Sequence, residues 1–308
     1  MPKKEIPIFL FNGFLDSGKT KLSKEILESD ELYHDGKTLV ILTEEGLEEY
    51  DPDFVNTYKI NVAVCDDEEK FTEDYVNDLV KKYKPKQIFM ELNAFFNGEV
   101  PIPKAGVVYQ KVTLFDASKF GMYLNNMRQM INAMVNNSTI IIFNRCDNNT
   151  KDLGSYRRVI RAFNQYAQIG FEYADGKVRT QLDEDLPYDI NASEIVLKDE
   201  DYPTWYMDIF DNFAKYEGKK ITYRAFVRDV TPSTLVVGRK IMTCCEADIA
   251  FYGYEVITDE IIANNSYIEV TGHPVMHYSD ITKKEEMMIE AENIKVLRPQ
   301  IEKYLVFN

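Results

Sequence analysis

The side chains and glycines best placed for chemistry lie in residues 13–20 of this chain. They read Gly-Phe-Leu-Asp-Ser-Gly-Lys-Thr, which fits the pattern Gly-x-x-x-x-Gly-Lys-Ser/Thr. In such a loop the backbone N–H groups and the dipole of the following helix converge on a phosphate. Lys19 would contact the β- and γ-phosphates, and the Thr20 hydroxyl would bind Mg²⁺. The pattern predicts a nucleoside triphosphate site made of Gly13, Phe14, Leu15, Asp16, Ser17, Gly18, Lys19, Thr20 and Lys21.

The residues around this loop have the pattern of a parallel α/β sheet. Ile6–Phe11 is an apolar run of strand length and Lys21–Glu28 has the spacing of a helix, which argues against a chance match of the loop. Further apolar runs of strand length are Thr38–Leu42, Ile88–Met90, Val112–Phe115 and Ile140–Phe143. Between them, Tyr75–Tyr83 and Tyr123–Val135 carry apolar residues at helical spacing. We therefore predict, for residues 1–190, a P-loop NTPase domain with a mostly parallel sheet and helices on both faces.

The chain changes character after about residue 180. Residues 191–217 have the pattern of a connector and a short amphipathic helix, because Trp205, Ile209 and Phe213 recur at i, i+4 spacing. Residues 218–308 contain short strand patterns separated by polar or Gly/Pro turns: Ile221–Val227, Leu235–Met242, Ala250–Ile257, Tyr267–Thr271 and Met287–Val296. Such closely spaced short strands predict a small C-terminal β-barrel of the OB type, with a compact sandwich as the alternative.

Composition and charge restrict the partners. The 308 residues carry a net charge of −15, which argues against nucleic acid because such binding draws on clustered Lys and Arg. No apolar run approaches the length of a membrane span, and the N-terminal run is too short for a signal peptide. Four cysteines without a secretory signal predict reduced thiols. We expect a cytoplasmic protein that is not embedded in a membrane.

Residues 144–147 indicate which base the nucleotide carries. They read Asn-Arg-Cys-Asp directly after the apolar run Ile140–Phe143, a variant of the guanine-reading motif Asn-Lys-x-Asp. The Asp147 carboxylate would accept hydrogen bonds from guanine N1–H and N2–H₂, which adenine does not offer. Asn144 would brace the loop, and the aliphatic stem of Arg145 would cover the base. The motif favours GTP, although an Asn/Asp turn after a strand is also common without a ligand.

In combination, these motifs resemble those of CobW-like GTPases, relatives of the UreG and HypB metallochaperone GTPases. The similarity covers about residues 5–190 and includes Glu91 at a strand end, Asp116-Ala117, and residues 161–164, which read Arg-Ala-Phe-Asn. It implies a GTP-hydrolysing domain coupled to delivery of a transition metal, commonly zinc or cobalt. GTP and GDP are then the expected ligands, with a metal-receiving client and a homodimer as candidate partners.

The resemblance implies roles for two acidic residues. Glu91 matches the acid that holds Mg²⁺ directly or through water. Residues 43–46, Thr-Glu-Glu-Gly, resemble the family's switch segment Asn-Glu-x-Gly, so Glu44 would position Mg²⁺ and the attacking water. The predicted catalytic residues are Lys19, Thr20, Glu44 and Glu91, with Thr20 and Glu91 as the Mg²⁺ ligands. The alternative for Glu91 is a carboxylate exposed to solvent at the end of a strand. The alternative for Glu44 and Glu45 is an acidic loop without a ligand.

Three positions depart from the family pattern. Asp16 stands where the family has a small residue, and it should weaken nucleotide binding unless it faces away or contacts Lys19 or Mg²⁺. Ala94 replaces the glycine of the family's Glu-x-x-Gly, with less backbone freedom. Cys65 is the only cysteine in Asn61–Glu68, where the family carries Cys-x-Cys-Cys. One thiol does not make a tetrahedral soft-metal site.

The C-terminal segment, residues 218–308, resembles the C-terminal domain of YcgQ-like bacterial proteins, which are associated with a predicted membrane permease. The shared signature Thr-Cys-Cys-x-Ala-Asp occupies residues 243–248. Cys244, Cys245 and Asp248 are candidate ligands of a soft transition metal such as Zn²⁺. The alternative is core packing, because neighbouring residues on a strand point to opposite faces. His273 and His277 are weaker candidates, since their spacing on a strand fixes no partner.

The sequence as a whole predicts a Mg²⁺-dependent protein that binds and hydrolyses GTP and handles a transition metal, with zinc as the first candidate. Two other functions stay open. A P-loop small-molecule kinase would need an acceptor pocket and a basic lid, and the guanine motif argues against it. A weakly hydrolysing adaptor would bind nucleotide and dock a permease or another client through its β-domain.

Overall fold

The computed structural model describes residues 5–29, 37–96, 98–147, 152–180, 182, 186–243, 246–279 and 283–306. The chain divides into two compact units, one of Met1–Tyr156 and Phe163–Leu182, the other of Arg157–Ala162 and Asp183–Asn308. They are named below, after their main elements, the sheet unit and the barrel unit.

The described residues of the sheet unit form one eight-stranded sheet. Its strands are β1 (Ile6–Asn12), β2 (Thr38–Leu42), β3 (Asn61–Val64), β4 (Gln87–Glu91), β5 (Gly106–Asp116), β6 (Ile140–Cys146), β7 (Gln168–Tyr173) and β8 (Val178–Arg179). Their order across the sheet is β3-β2-β4-β1-β5-β6-β7-β8. Neighbours run parallel except β7 and β8, which are antiparallel. The predicted mostly parallel sheet is confirmed.

Helices connect the strands. They are α1 (Lys19–Glu28), α2 (Pro52–Tyr58), α3 (Glu73–Tyr83), α4 (Ala117–Asn126), α5 (Arg128–Val135), α6 (Leu153–Phe163) and, in the barrel unit, α7 (Tyr202–Asp211). The helical spacing predicted over Tyr123–Val135 falls on two helices, because Met127, with φ −135° and ψ 35°, separates α4 from α5. In the described parts of the chain, no helix combines the length and the apolar character needed to span a bilayer.

Two apolar clusters cover the two faces of the central strands. Phe9 and Phe11 of β1 pack in one cluster with Leu27 of α1. Ile8 and Leu10, which alternate with them, pack in the other cluster with side chains of α3. Both faces are therefore buried, which explains why the central strands are apolar throughout.

The strand register aligns the ends that carry the predicted site. Phe11 of β1 lies opposite Glu91, the last residue of β4. Asp116, the last residue of β5, lies opposite Asn144 of β6. The loop from β1 to α1 leaves the same edge. Carboxyl ends of parallel strands are where ligands bind in such sheets.

The barrel unit contains strands β9 (Glu194–Val196), β10 (Lys220–Val230), β11 (Thr234–Met242), β12 (Ala250–Ile257), β13 (Tyr267–Ser279), β14 (Lys284–Val296) and β15 (Leu305–Val306). Strands β11, β12, β14, β13 and β10 pair in this order, and β10 also pairs with β11, which closes the ring. Only β12 and β14 pair parallel within it. The predicted OB-like barrel is confirmed. Strand β9, in the segment expected to be a connector, adds to β10 in parallel.

Candidate nucleotide-binding site

The loop between β1 and α1 depends on two glycines. Gly13 has φ 150° and Gly18 has φ 97°, values that favour glycine. Space also excludes a side chain, because a Cβ on Gly13 would lie 2.6 Å from the Leu114 carbonyl oxygen. A Cβ on Gly18 would lie 2.6 Å from Nδ2 of Asn144. The loop therefore packs tightly against β5 and β6 and keeps its backbone open to a ligand.

Lys19, the first residue of α1, is buried, with 5% of its side chain exposed. Its ammonium group donates to the carbonyl oxygens of Gly13 at 2.8 Å and Phe14 at 2.9 Å. The third contact is an ion pair with Glu44, with 2.6 Å between Nζ and Oε1. All three donors of the ammonium group are thus used, and the predicted Glu44 lies at the phosphate loop.

Glu91 binds two hydroxyl groups at the end of β4. Thr20 Oγ1 donates to Oε2 at 2.6 Å, and the Tyr50 hydroxyl donates to Oε1 at 2.6 Å. Burial raises the pKa of Glu91 above its usual value, and the hydrogen bonds from Thr20 and Tyr50 act in the opposite direction. With only 3% of its surface exposed, Glu91 is not a strand-end carboxylate in solvent. Tyr50 was not identified from the sequence.

These residues fit Mg²⁺ and a phosphate ligand. The Thr20 hydroxyl and the Glu91 carboxylate are hard oxygen donors, the class that Mg²⁺ prefers, and they lie 2.6 Å apart. The buried Ser17 hydroxyl has no hydrogen-bond partner among the described residues. A buried polar atom without a partner is uncommon in proteins, and in this loop a ligand oxygen would supply one.

Asn144 and Arg145 fasten the end of β6 to the phosphate loop. Asn144 Nδ2 donates to the Ser17 carbonyl oxygen at 2.6 Å. Arg145, whose φ is 55°, donates from Nη1 to Asp116 Oδ2 at 2.7 Å and from Nη2 to the Asp16 carbonyl oxygen at 3.0 Å. The Arg145 guanidinium thus links the ends of two strands with the loop.

The pKa of Asp116 reflects this link. Burial acts to raise it, but hydrogen bonds from Ser118 and Arg145, together with the positive charge of Arg145, lower it below its usual value. Asp116 also caps α4, accepting from the Ser118 amide at 3.0 Å. The carboxylate therefore stays charged and holds Arg145.

One cavity of about 410 Å³ lies among these groups. The predicted residues that line it are Leu15, Asp16, Gly18, Lys19, Thr20, Lys21, Glu44, Glu91, Asn144 and Arg145. Gly13, Phe14 and Ser17 are in the loop but not in the lining. Asp147 is exposed and is not in the lining either. The structure therefore brings the phosphate-site residues together and leaves Asp147 outside this cavity.

Sequence reasoning missed the end of β7, which supplies Glu172, Tyr173, Ala174 and Gly176 to the same cavity. Lys21 Nζ lies 2.9 Å from Glu172 Oε1. A signal was available: a short apolar pattern followed by a turn with glycine comes soon after the guanine motif. Because β7 neighbours β6 in a parallel sheet, its end reaches the same edge.

Comparison with known families agrees with this geometry. Residues 7–171 match the CobW/HypB/UreG nucleotide-binding domain, which is more than half of the chain. The chain belongs to the CobW/HypB/UreG family. Residues 172–307 match the DUF1980 C-terminal domain, so the predicted fusion of a CobW-like domain with a different C-terminal domain is confirmed. No curated protein matches the chain.

Three solved structures similar to this chain each cover little more than half of it. The hydrogenase maturation factor HypB from Archaeoglobus fulgidus is 12% identical with a TM-score of 0.40, covering 58% of this chain and 86% of that protein. HypB from Helicobacter pylori in complex with nickel is 11% identical with a TM-score of 0.35, covering 56% and 81%. FlhF complexed with GMPPNP and Mg²⁺ is 18% identical with a TM-score of 0.35, covering 60% and 70%.

Two departures from the CobW-like pattern have a structural explanation. The Asp16 carboxylate does not pair with Lys19, because its Oδ1 accepts from the Leu47 amide at 2.9 Å. Asp16 has φ 59°, a left-handed conformation that Asp tolerates better than most residues. Ala94 does not have a positive φ, so its backbone does not require the glycine found in CobW-like proteins.

Cysteines give no metal site within the described residues. Burial raises the pKa of Cys65, and it raises the pKa of Cys146 to about 12. Cys244 and Cys245 lie outside the described residues. Asp248 is described, and its Oδ1 accepts from the Thr243 amide at 3.0 Å.

The two histidine candidates lie on β13 without a metal-ligand set. His273 contacts Glu292 through Nε2 at 2.8 Å and the Lys219 carbonyl oxygen through Nδ1 at 3.0 Å. His277 is exposed on the same strand. Across the described ranges there is no group of three or more His, Cys, Asp or Glu residues that could hold a metal ion.

The Arg-x-x-Asn segment serves packing in this chain. Arg161 Nε lies 2.9 Å from Asp211 Oδ1 in the barrel unit. Asn164 Nδ2 donates to the carbonyl oxygens of Val135 at 2.8 Å and Ser138 at 2.9 Å in the sheet unit. Neither residue lines the nucleotide cavity.

Proposed function

We propose that this member of the CobW/HypB/UreG family is a Mg²⁺-dependent GTPase that acts in transition-metal handling. The observation that carries the proposal is the convergence on one cavity of buried Lys19, the Thr20–Glu91 pair, and the β6 end with Asn144 and Arg145. A phosphate-binding loop, hard oxygen ligands and a base-side motif are the parts that P-loop GTPases require.

The reaction would be in-line attack of water on the γ-phosphorus, with GDP leaving as the bond to the bridging oxygen breaks. Lys19 and the loop amides would stabilise the charge that develops on the phosphate oxygens. Thr20 and Glu91 would hold Mg²⁺, which neutralises phosphate charge when bound. Glu44 is the candidate for orienting the water. No covalent intermediate is required, so the chain's contribution is positioning and charge.

Titration of GTP and ATP, each with and without Mg²⁺, tests this proposal. We expect GTP to bind at least about 100-fold more tightly than ATP, because adenine leaves the base-reading carboxylate unpaired. Binding should weaken without Mg²⁺, and phosphate release should be slow but measurable. Equal or tighter binding of ATP would contradict the guanine assignment.

A weakly hydrolysing adaptor is the second candidate function. It is favoured by the ion pair between Lys19 and Glu44, because the chain's own carboxylate occupies the lysine that hydrolysis needs. Phosphate release at saturating GTP separates the candidates. Release above the protein-free rate supports the GTPase, whereas tight binding without release supports an adaptor that docks a permease or another client through the barrel unit.

The metal-handling part of the proposal predicts a Zn²⁺ site at Cys244, Cys245 and Asp248. Replacing both cysteines with serine should weaken Zn²⁺ binding by more than about 100-fold. Mutating a residue that only hydrogen-bonds to a metal ligand lowers metal affinity by about 10- to 100-fold, and losing the thiolate ligands themselves should cost more. GTP binding should be unchanged. The matched control is Cys65→Ser, which should leave Zn²⁺ binding intact. Equal Zn²⁺ uptake by wild type and the double variant, measured by competition with a chromophoric chelator, would show that these cysteines are not ligands.

A further inference from the structure

Residues 44–50, which follow β2 and are named here the strap, lie across the phosphate loop without regular secondary structure. Successive strap residues contact the groups that the proposed function needs. Glu44 pairs with Lys19 at 2.6 Å, and the Leu47 amide donates to Asp16 Oδ1 at 2.9 Å. The Tyr50 hydroxyl donates to Glu91 at 2.6 Å. The strap therefore contacts Lys19, Asp16 and the candidate Mg²⁺ ligand Glu91.

Lys24 of α1 holds the strap from the side. Its ammonium group lies 2.9 Å from Glu48 Oε1 and 3.2 Å from the Glu49 carbonyl oxygen. The hydrogen bond to Glu48 raises the pKa of Lys24, and so do the charges of Glu48 and Asp51, although burial opposes them. Lys24 thus stays charged and adds a further attachment for the strap on α1.

The Lys19 contacts show which group an incoming phosphate must replace. Two of the three acceptors are carbonyl oxygens of the loop itself, Gly13 and Phe14, and they are fixed by the loop fold. The third acceptor is the carboxylate of Glu44, an anion carried by an irregular segment. A phosphate oxygen resembles a carboxylate oxygen in charge and in hydrogen-bond geometry. Glu44 therefore holds the position on Lys19 that a phosphate would take.

Asp16 and Gly46 form the attachment point of the strap. A Cβ on Gly46 would lie 2.6 Å from Asp16 Oδ1, the same atom that accepts from the Leu47 amide. Gly46 has no positive φ, so its backbone would accept alanine and the only obstacle is this contact. Close approach of the strap therefore depends on the absence of a side chain at Gly46 and on an acceptor at Asp16.

We propose that the strap is an autoinhibitory lid: Glu44 substitutes for a phosphate on Lys19, and Asp16 is the positioning residue that keeps the strap closed. Nucleotide binding displaces the Glu44 carboxylate from Lys19, which frees it for the water-orienting role proposed above, and opens the strap at Asp16. The inference rests on the proposed function, since it requires phosphates to enter this loop.

Two substitutions separate docking of the strap from the charge of Asp16. Gly46→Ala keeps the charge but forces Asp16 Oδ1 to move from the position where it accepts from the Leu47 amide. Asp16→Asn removes the charge but keeps an acceptor oxygen for the Leu47 amide. A matched glycine control is Gly98→Ala, where the added Cβ would meet its nearest atom at an ordinary 3.6 Å.

The first measurement is amide hydrogen exchange of residues 44–50 in the nucleotide-free protein. Gly46→Ala should speed exchange there, while Asp16→Asn and Gly98→Ala should match wild type. This measurement needs no nucleotide, so its result does not depend on the proposed function. Unchanged exchange in Gly46→Ala would show that the strap is not held by this contact and would overturn the proposal.

The second measurement is affinity for GMPPNP and GDP with Mg²⁺. Gly46→Ala should bind GMPPNP about two- to tenfold more tightly than wild type, the change expected from losing one solvent-accessible hydrogen bond of the closed state. Glu44→Gln should also bind more tightly, and more so for GMPPNP than for GDP. Faster exchange with unchanged or weaker GMPPNP binding would overturn autoinhibition and make the strap a nucleotide clamp. If wild type and all variants bind neither nucleotide, the proposed function fails.

Discussion

Replacing Lys19 with alanine is expected to weaken Mg²⁺-GTP binding by about 30-fold to several thousandfold. Removing one partner of a buried charge pair costs about 2–5 kcal/mol, and each 1.4 kcal/mol is tenfold in affinity. Lys19 is buried and is the side chain that donates to the carbonyl oxygens inside the loop, so no neighbouring lysine can replace its geometry. Isothermal titration with GTP measures the effect.

The loop should keep its shape in this variant. Asn144 still donates to the Ser17 carbonyl oxygen at 2.6 Å, and the Ser17 amide still donates to the Phe14 carbonyl oxygen at 3.1 Å. Thermal unfolding should therefore change far less than affinity. Lys81→Ala, which removes an exposed lysine from α3, is the matched control and should bind GTP as wild type does. Tight, Mg²⁺-independent binding by Lys19→Ala would show that phosphates do not bind in this loop.

The strands of the site could be predicted because they are buried on both faces. Thr38–Leu42 has the predicted bounds, since its apolar residues run without interruption up to a polar turn. The short strand Asn61–Val64 was missed because four residues give too little pattern. The break at Met127 was missed because buried apolar residues continue on both sides of it, so helical spacing persists across the interruption.

The candidate site also has parts that the sequence predicts and parts that it does not. The phosphate loop was predictable because its glycines, lysine and threonine all lie within the eight residues 13–20. The contact between Tyr50 and Glu91 joins residues 41 positions apart, and it depends on where an irregular segment folds back. Asp16 shows most clearly that a residue's contacts cannot be read from the sequence alone. Its charge predicts repulsion of phosphate, whereas its partner, the Leu47 amide, becomes known only from the fold.

Replacing Asp147 with asparagine is expected to lower GTP affinity by about 100- to 20,000-fold and to shift preference toward xanthine nucleotides. The carboxylate would accept two hydrogen bonds from guanine, and hydrogen bonds to a charged group contribute about 1.5–3 kcal/mol each. An amide can donate to the xanthine 2-oxygen, where the carboxylate would repel it. Titrating GTP, XTP and ATP into both proteins measures the change in base selectivity.

Asp147 is exposed and does not line the 410 Å³ cavity. The cavity lining includes Asn144, Arg145 and residues at the end of β7. If Asp147 reads the base, a bound nucleotide must extend beyond this lining to reach it. Asp78→Asn, which makes the same substitution at an exposed carboxylate on α3, controls for loss of charge and should leave selectivity unchanged. If Asp147→Asn also leaves selectivity unchanged, base recognition belongs to the lining residues at the ends of β6 and β7.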